Sequence, residues 1–437
     1  MSNNSFKRGR YNALHLSPRI RRVVDVLEAN GFLDRVKGSN NRTPGQNGRG
    51  NHTTRIKPTA KLEELFSNLT LEREDITFHK DEEVIILRDK DEDDPKAKKI
   101  DYVDNDETIR MRAEVRAYNK MMLEYFVDVA SLEQPFYERT YKDKDGRDQV
   151  QQIWITQENK FTRRTFSRGR FDLNGRWNGG FWQNLPKVLR RHIWIDGDQT
   201  DEWDYSGLHP NILALQMGHE FSGDPYQLDK QVVKSIRLAD QRAVVKSLVL
   251  YAINAKNLDA CYRAFQTRHP GYKKRDLKLL LEAYIDQHPF MADALGSDKG
   301  IELMYLDSQI AAHVIREFVD LRIPILPIHD SFIARLEDIP FLEKAMSAAC
   351  YTILGQDLIK TSRQWEERSY PTGHLNQYTS PSDKHQPLER LVEDEDRPSF
   401  RTIEAYKERW HAWSISHPEA YSPDLVDTYL GEWVERD

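Results

Sequence analysis

The chain has 437 residues, 39% of them hydrophobic and 31% charged, with a formal net charge of -6. That length and balance exclude a disordered chain and call for more than one folded domain. No apolar run approaches the ~18 residues of a membrane span, no signal-like stretch follows the first residues, and Cys261 and Cys350 lack disulfide or zinc-ligand spacing, so a cytoplasmic protein is expected.

The charge is uneven along the chain. Residues 1 to 60 hold twelve Lys or Arg against three Asp or Glu, whereas 381 to 437 hold seven against fourteen. A basic head suits phosphate contact through counterion release, and it equally suits a solubilising arm. Ser17-Pro18 followed by Ile20, Val23, Val24 and Leu27 predicts a helix ending at Asn30-Gly31. FLDRVKG (32 to 38) and HTTRIKPT (52 to 59) then predict two strands joined by a Gly/Asn-rich loop carrying Arg42 and Arg49. A helix leading into a basic hairpin is similar to the end of a winged-helix DNA-binding module; an ordinary helix-hairpin unit is the alternative. Residues 89 to 107 form a mixed-charge run that predicts a solvated linker. Residues 108 to 130 predict one long helix, with Met111, Val115, Tyr118, Met122 and Phe126 on its core side.

The chemistry-bearing residues lie between 170 and 335. TDEWDYSGLHPNILALQMG (200 to 218) predicts a strand ending in Asp204 and a helix from about Pro210. IPILPIHDSFIARL (323 to 336) predicts a tight hairpin with Asp330 at its tip. Two carboxylates on neighbouring strands can hold two divalent cations that clamp the attacking and leaving oxygens of a phosphoryl displacement, and Mg²⁺, or Mn²⁺ in its place, suits oxygen ligands. An Asp at a turn also arises from turn chemistry alone. Between them, residues 232 to 257 predict a helix on which Arg242 and Lys246 share one face, a cationic pair suited to a triphosphate or, equally, to solvent.

Taken together, these segments resemble the family A DNA polymerases and the single-subunit phage-type and mitochondrial RNA polymerases. DYSGLHPNILA (204 to 214) is similar to the family's first palm motif, and GRWNGGFWQNLP (175 to 186) to its G-R…L-Q-N-I-P segment. Arg242, Lys246, Leu250 and Asn254 fall at the spacing of its fingers helix, and IHDSF (328 to 332) resembles the RNA-polymerase form of its last palm motif. The resemblance covers roughly 165 to 340. It implies an α+β right hand, with an antiparallel palm sheet, helical fingers and mainly helical flanking segments. It further implies Asp204, Asp330 and the main-chain carbonyl of Tyr205 as metal ligands. Arg242, Lys246, His209, Leu250 and Asn254 would meet the nucleotide, and Arg176, Gln183, Asn184, His313 and His329 the primer-template.

Four segments are expected on that basis: a basic winged-helix-like part (1–70), a charged linker and thumb-like helical region (71–165), palm and fingers (166–365), and an acidic helical extension (366–437). The departures concern what is polymerised. His209 stands where the DNA polymerases have Glu, Asn254 where they have Tyr, Ala255 where Gly is usual, and Ser331 where they have a further Glu. The expectation is a compact DNA-templated DNA polymerase using two Mg²⁺ and no proofreading domain. A single-subunit RNA polymerase or primase-like enzyme is the alternative within the class, and a DNA-binding protein with an inert palm is the alternative outside it.

Overall fold

The computed structural model describes residues 6, 9–36, 54–67, 81–91, 94–132, 134–142, 148–356 and 361–363. Arg42, Arg49 and the expected 366–437 extension lie outside the described residues. Two compact units divide the described chain, one running to Glu83 and including 132 and 134–136, the other formed by Val84–Ser131 and the residues from Tyr137 onward.

In the first unit, α1 (Ile20–Ala29) ends in a left-handed Gly31 at φ 69°. Gly31 N–H donates to Glu28 and Phe32 N–H to Leu27, at 2.9 Å each, which satisfies carbonyls the helix end would otherwise leave open. That turn aims the chain into β1 (Leu33–Val36), which pairs antiparallel with β2 (Arg55–Pro58) from Leu33↔Pro58 to Val36↔Arg55. Arg35 ties the hairpin back to α1 through Asp25 at 2.6 Å and through Glu28. A short α2 (Ala60–Phe66) follows.

The second unit is mixed α and β. Its first sheet is ordered β4-β3-β8-β9, from β3 (Ile85–Asp91), β4 (Asp94–Lys99), β8 (Arg163–Ser167) and β9 (Arg170–Asn178). The linker expected over 89 to 107 is corrected here. Ile85, Ile86 and Leu87 are buried in parallel pairing with β8, and β3 simply continues outward and folds back as β4, with Arg88↔Lys99 and Asp89↔Lys98. Charged residues are at home on such an outer edge, where they discourage pairing with other chains. This pairing also joins residue 85 onward to the segment after 163, across the division expected at 165.

The helix expected over 108 to 130 is shorter. α3 (Asp106–Leu123) starts at a capping box in which Thr108 N–H donates to Asn105 Oδ1 at 2.8 Å and Asn105 N–H to Thr108 Oγ1 at 2.9 Å. Met111, Val115, Tyr118 and Met122 are buried as expected. The chain then turns into β5 (Val127–Val129), where two β-branched residues pair with β10 (Ile193–Ile195). A separate hairpin comprises β6 (Phe136–Lys142) and β7 (Asp148–Trp154).

The second sheet runs β12-β13-β11-β10-β5, from β11 (Asp198–Tyr205), β12 (Leu326–Ile328) and β13 (Ser331–Arg335), with β14 (Thr361–Arg363) also pairing with β11. Short α4 (Lys187–Arg190) precedes β10, and α5 (Leu208–Gln216) follows β11. Then come α6 (Leu238–Asn254), α7 (Leu258–Arg268), α8 (Lys274–Gln287) and α9 (Gly300–Asp320), and α10 (Ile339–Leu354) follows β13. Helix α9 packs on β9, α3, α5, α6 and α10, which makes it the spine of the unit. Among the described residues no helix is long and apolar enough to cross a membrane.

Candidate active site

The antiparallel register of β11 and β13 sets Asp204 opposite Ser331, and Tyr205 N–H donates to the Asp330 carbonyl at 3.3 Å. Both aspartates therefore stand at one end of the sheet. β12 and β13 are joined through His329 and Asp330 alone, with His329 left-handed at φ 56°, a conformation that costs a residue with a Cβ and recurs at functional sites. Burial, with the nearby charge of Asp330 next, pushes the Asp204 carboxyl up to about 7; Glu202 adds to the shift, while Lys246 and Lys187 oppose it. Burial first, then the Arg176 charge, holds the His329 imidazole below its ordinary value.

The hairpin is held from behind. Trp182 and Gln183, on a single 3-10 turn (Phe181–Asn184), both donate to the Pro327 carbonyl, at 3.0 and 2.9 Å. Gln183 also donates to Trp177 O at 3.1 Å and accepts from Gly179 N–H at 3.1 Å, so its amide joins β9 to β12. Tyr118 reaches from α3 to the Ile325 carbonyl at 2.8 Å. Tyr205, proposed from sequence for its carbonyl, buries its ring and donates its hydroxyl to Met346 O at 2.7 Å. Asn184 is exposed.

A carboxylate that sequence reading passed over lies against Ser331. Glu202 is buried, is held by Arg190 through two bonds of 2.9 Å, and accepts from Ser331 Oγ at 2.9 Å. Glu202 stands two residues before Asp204 on the same strand and the same face. The i, i+2 spacing of Glu202 and Asp204 was the available signal.

On α6, Arg242, Lys246, Leu250 and Asn254 form one stripe at four-residue intervals, with both cations exposed. Tyr226 brings the two cations together: Arg242 Cζ is 5.9 Å and Lys246 Nζ 5.7 Å from the centre of its ring. Arg242 also pairs with Asp224. Burial first, then Tyr284 and the charges of Asp330 and Asp224, raise the Tyr226 hydroxyl. Gly207, left-handed at φ 65°, lets Pro225 approach the start of α5; a Cβ there would sit 2.8 Å from the Pro225 ring. Asn254 donates to Leu250 O at 2.8 Å.

Arg176 and His209 converge on one buried carboxylate. Asp307, on α9, accepts from Arg176 Nε at 3.0 and 3.2 Å and from Nη2, and lies 2.9 Å from His209 Nε2. Beside it, Arg164 donates to Gly175 O at 2.9 Å and to Ser308 Oγ at 3.1 Å. Gly175 sits in a bulge of β9 at φ 78°, where a Cβ would meet Phe166 and Ser308 at 2.8 Å. That is the physical reason for glycine before Arg176. His313, on the same helix as Asp307, is 3.7 Å from Glu317 and has no described contact with Asp307.

Among the described residues no group of three or more His, Cys, Asp or Glu converges as a closed metal cage. Carboxylate oxygens are ligands of the kind Mg²⁺ prefers, and that ion retains positions for water and substrate phosphates. Burial and, after it, the Asp330 charge disfavour an ionised Asp204, and a divalent cation would offset both. Asp204 and Asp330 would hold such an ion.

No family model matches the chain, and no curated protein matches it. Among solved structures, the POL domain of Pol1 from M. smegmatis, in complex with DNA primer-template and dNTP, is similar at a TM-score of 0.31 and 13% identity, over 59% of this chain. The chain spans about half of that structure's length, 50%. A likeness of this degree does not by itself define a shared fold.

Proposed function

We propose that this protein is a template-directed nucleic-acid polymerase, a compact nucleotidyltransferase that extends a DNA primer on a template with Mg²⁺. The observation that supports the reading is the register of β11 and β13, which sets Asp204 opposite Ser331 and beside Asp330, within reach of the Asp330 charge. Asp204 and Asp330 would hold the metal ions, whose chemistry is to stabilise the oxygens between which the nucleotidyl group passes. Arg242 and Lys246, gathered over Tyr226, would bind triphosphate oxygens, a task suited to one planar fork and one point charge. Arg176 and His329 would lie toward the primer end. Ser331, donating to Glu202, belongs to the RNA-polymerase form of the last motif and supports ribonucleotide use as the second reading.

Primer extension with Mg²⁺ and either dNTPs or NTPs tests both readings. Incorporation is expected from the wild type and lost in Asp204→Ala and Asp330→Ala. Activity that survives both substitutions sinks the assignment, and the preferred sugar selects between the readings.

A further inference from the structure

The buried carboxylate of Asp307 takes no part in the chemistry proposed above, yet its side chain is fully buried, at 0% exposure, and holds two candidate site residues. Removing a carboxylate from water is unfavourable unless its oxygens are well bonded, and an apolar residue would fill the same volume without that cost. Arg176 reaches it from β9, 131 residues away in sequence, and His209 from α5, 98 residues away. Because Arg176 can only donate, its Nη2 at 3.4 Å from His209 Nε2 cannot accept from the ring. The Asp307 carboxylate, paired with Arg176, only accepts, so the 2.9 Å contact of Nε2 with Asp307 is a donation from Nε2–H, and in the neutral ring the lone pair lies on Nδ1. Arg176 and Asp307 are both electrostatic neighbours of His329, which precedes Asp330 in the turn. Arg242 and Lys246 are tied instead to Asp224 and Tyr226, with no described contact to Asp307.

We infer that Asp307 is a positioning residue for the terminal nucleotide of the strand being extended: it clamps Arg176 and fixes the His209 proton on Nε2, so the wall beside the Asp330 turn is prearranged. The inference rests on the polymerase reading. It places Asp307 apart from the triphosphate cations Arg242 and Lys246, so its loss is felt through Arg176 at the primer end and through His209 beside the nucleotide. Asparagine keeps the shape of Asp307 but removes its charge and turns one of its two acceptor positions into a donor.

The test compares wild type, Asp307→Asn, Arg176→Gln and the double variant in steady-state primer extension. Asp307→Asn is expected to lower kcat at least tenfold and to raise the KM for primer-template more than twofold. The double variant is expected to be no worse than Arg176→Gln alone. A primer-template KM within twofold of wild type, or losses that multiply, overturns the inference. Nitrogen-15 shifts of the His209 ring, read without nucleotide, are expected to report an Nε2–H form in the wild type; an Nδ1–H form also overturns the inference. Should Asp307→Asn not fold, His209→Gln, which keeps a donor at the Nε2 position, is expected to retain the activity that His209→Ala loses, and equal losses overturn the inference. Activity that persists in Asp204→Ala refutes the polymerase site itself, whereas Asp204-dependent activity unaffected by Asp307→Asn refutes only the positioning role.

Discussion

Replacing Asp330 by Asn should make the metal-free protein more stable while abolishing its activity. The Asp204 carboxyl, raised from 3.8 to about 7, favours the protonated form in the fold. Its folded value lies above its unfolded one, so the fold gains relative stability at low pH and loses it as pH rises from about 4 to 7. Three pKa units correspond to about 4 kcal/mol in all, of which burial is the first cause and Asp330 the second. Allowing for the solvent Asp204 still meets, we assign about 1 to 2 kcal/mol to Asp330. In EDTA at pH 8, Asp330→Asn should therefore melt about 2 to 8 °C higher than the wild type. At pH 5 the gain should vanish, because Asp204 then carries its proton and no repulsion is left to remove. Adding Mg²⁺ at pH 8 should raise the wild type's melting temperature and leave the variant's nearly unchanged, since only the intact pair gains from the ion. Thermal unfolding at the two pH values decides the matter: an equal effect at pH 5 and pH 8, or no stabilisation at pH 8, would refute the shared field of the two aspartates.

Arg242→Ala and Lys246→Ala should each raise the KM for the incoming triphosphate about tenfold or more without lowering the melting temperature, because both side chains are exposed. Steady-state kinetics at saturating primer-template check this. Gly175→Ala should cost about 2 kcal/mol or more in urea unfolding, since the residue is left-handed and the added Cβ meets Phe166 and Ser308 at 2.8 Å; a neutral effect would remove the bulge's proposed role. Gln183→Ala should destabilise by about 1 to 3 kcal/mol by leaving the carbonyls of Trp177 and Pro327 without its amide. If Gln183 served the primer alone, its loss would change kinetics and leave unfolding untouched.

Much of the site was legible because its signals are local. A strand running into a helix at Asp204, a two-residue turn presenting Asp330, and a four-residue stripe on α6 are patterns of neighbours in sequence, and the structure has all three. The hairpin at β1 and β2 was readable for the same reason, each strand's composition being a local signal. The reading failed at 89 to 107 and at 124 to 130. At 89 to 107 local charge suggested a linker, while β3, anchored on distant β8 through Ile85 to Leu87, runs on and pairs with β4. At 124 to 130 local periodicity suggested a continuing helix, while pairing with distant β10 imposed a strand.

What the residues alone determined, then, is which side chains are candidates for chemistry: Asp204, Asp330, Arg242 and Lys246 bear groups whose charge and reach follow from their type. The tertiary structure decided how those groups are supported. Glu202 becomes a partner of Ser331 only when β11 and β13 align, and Asp307 joins Arg176 and His209 only when α9 packs on β9 and α5. Tyr226 gathers Arg242 and Lys246 only when the loop before α6 folds back over it. Each is a contact between residues distant in the chain, and whether a carboxylate, an imidazole or a ring is buried beside another is fixed by packing, which no spacing along the sequence specifies.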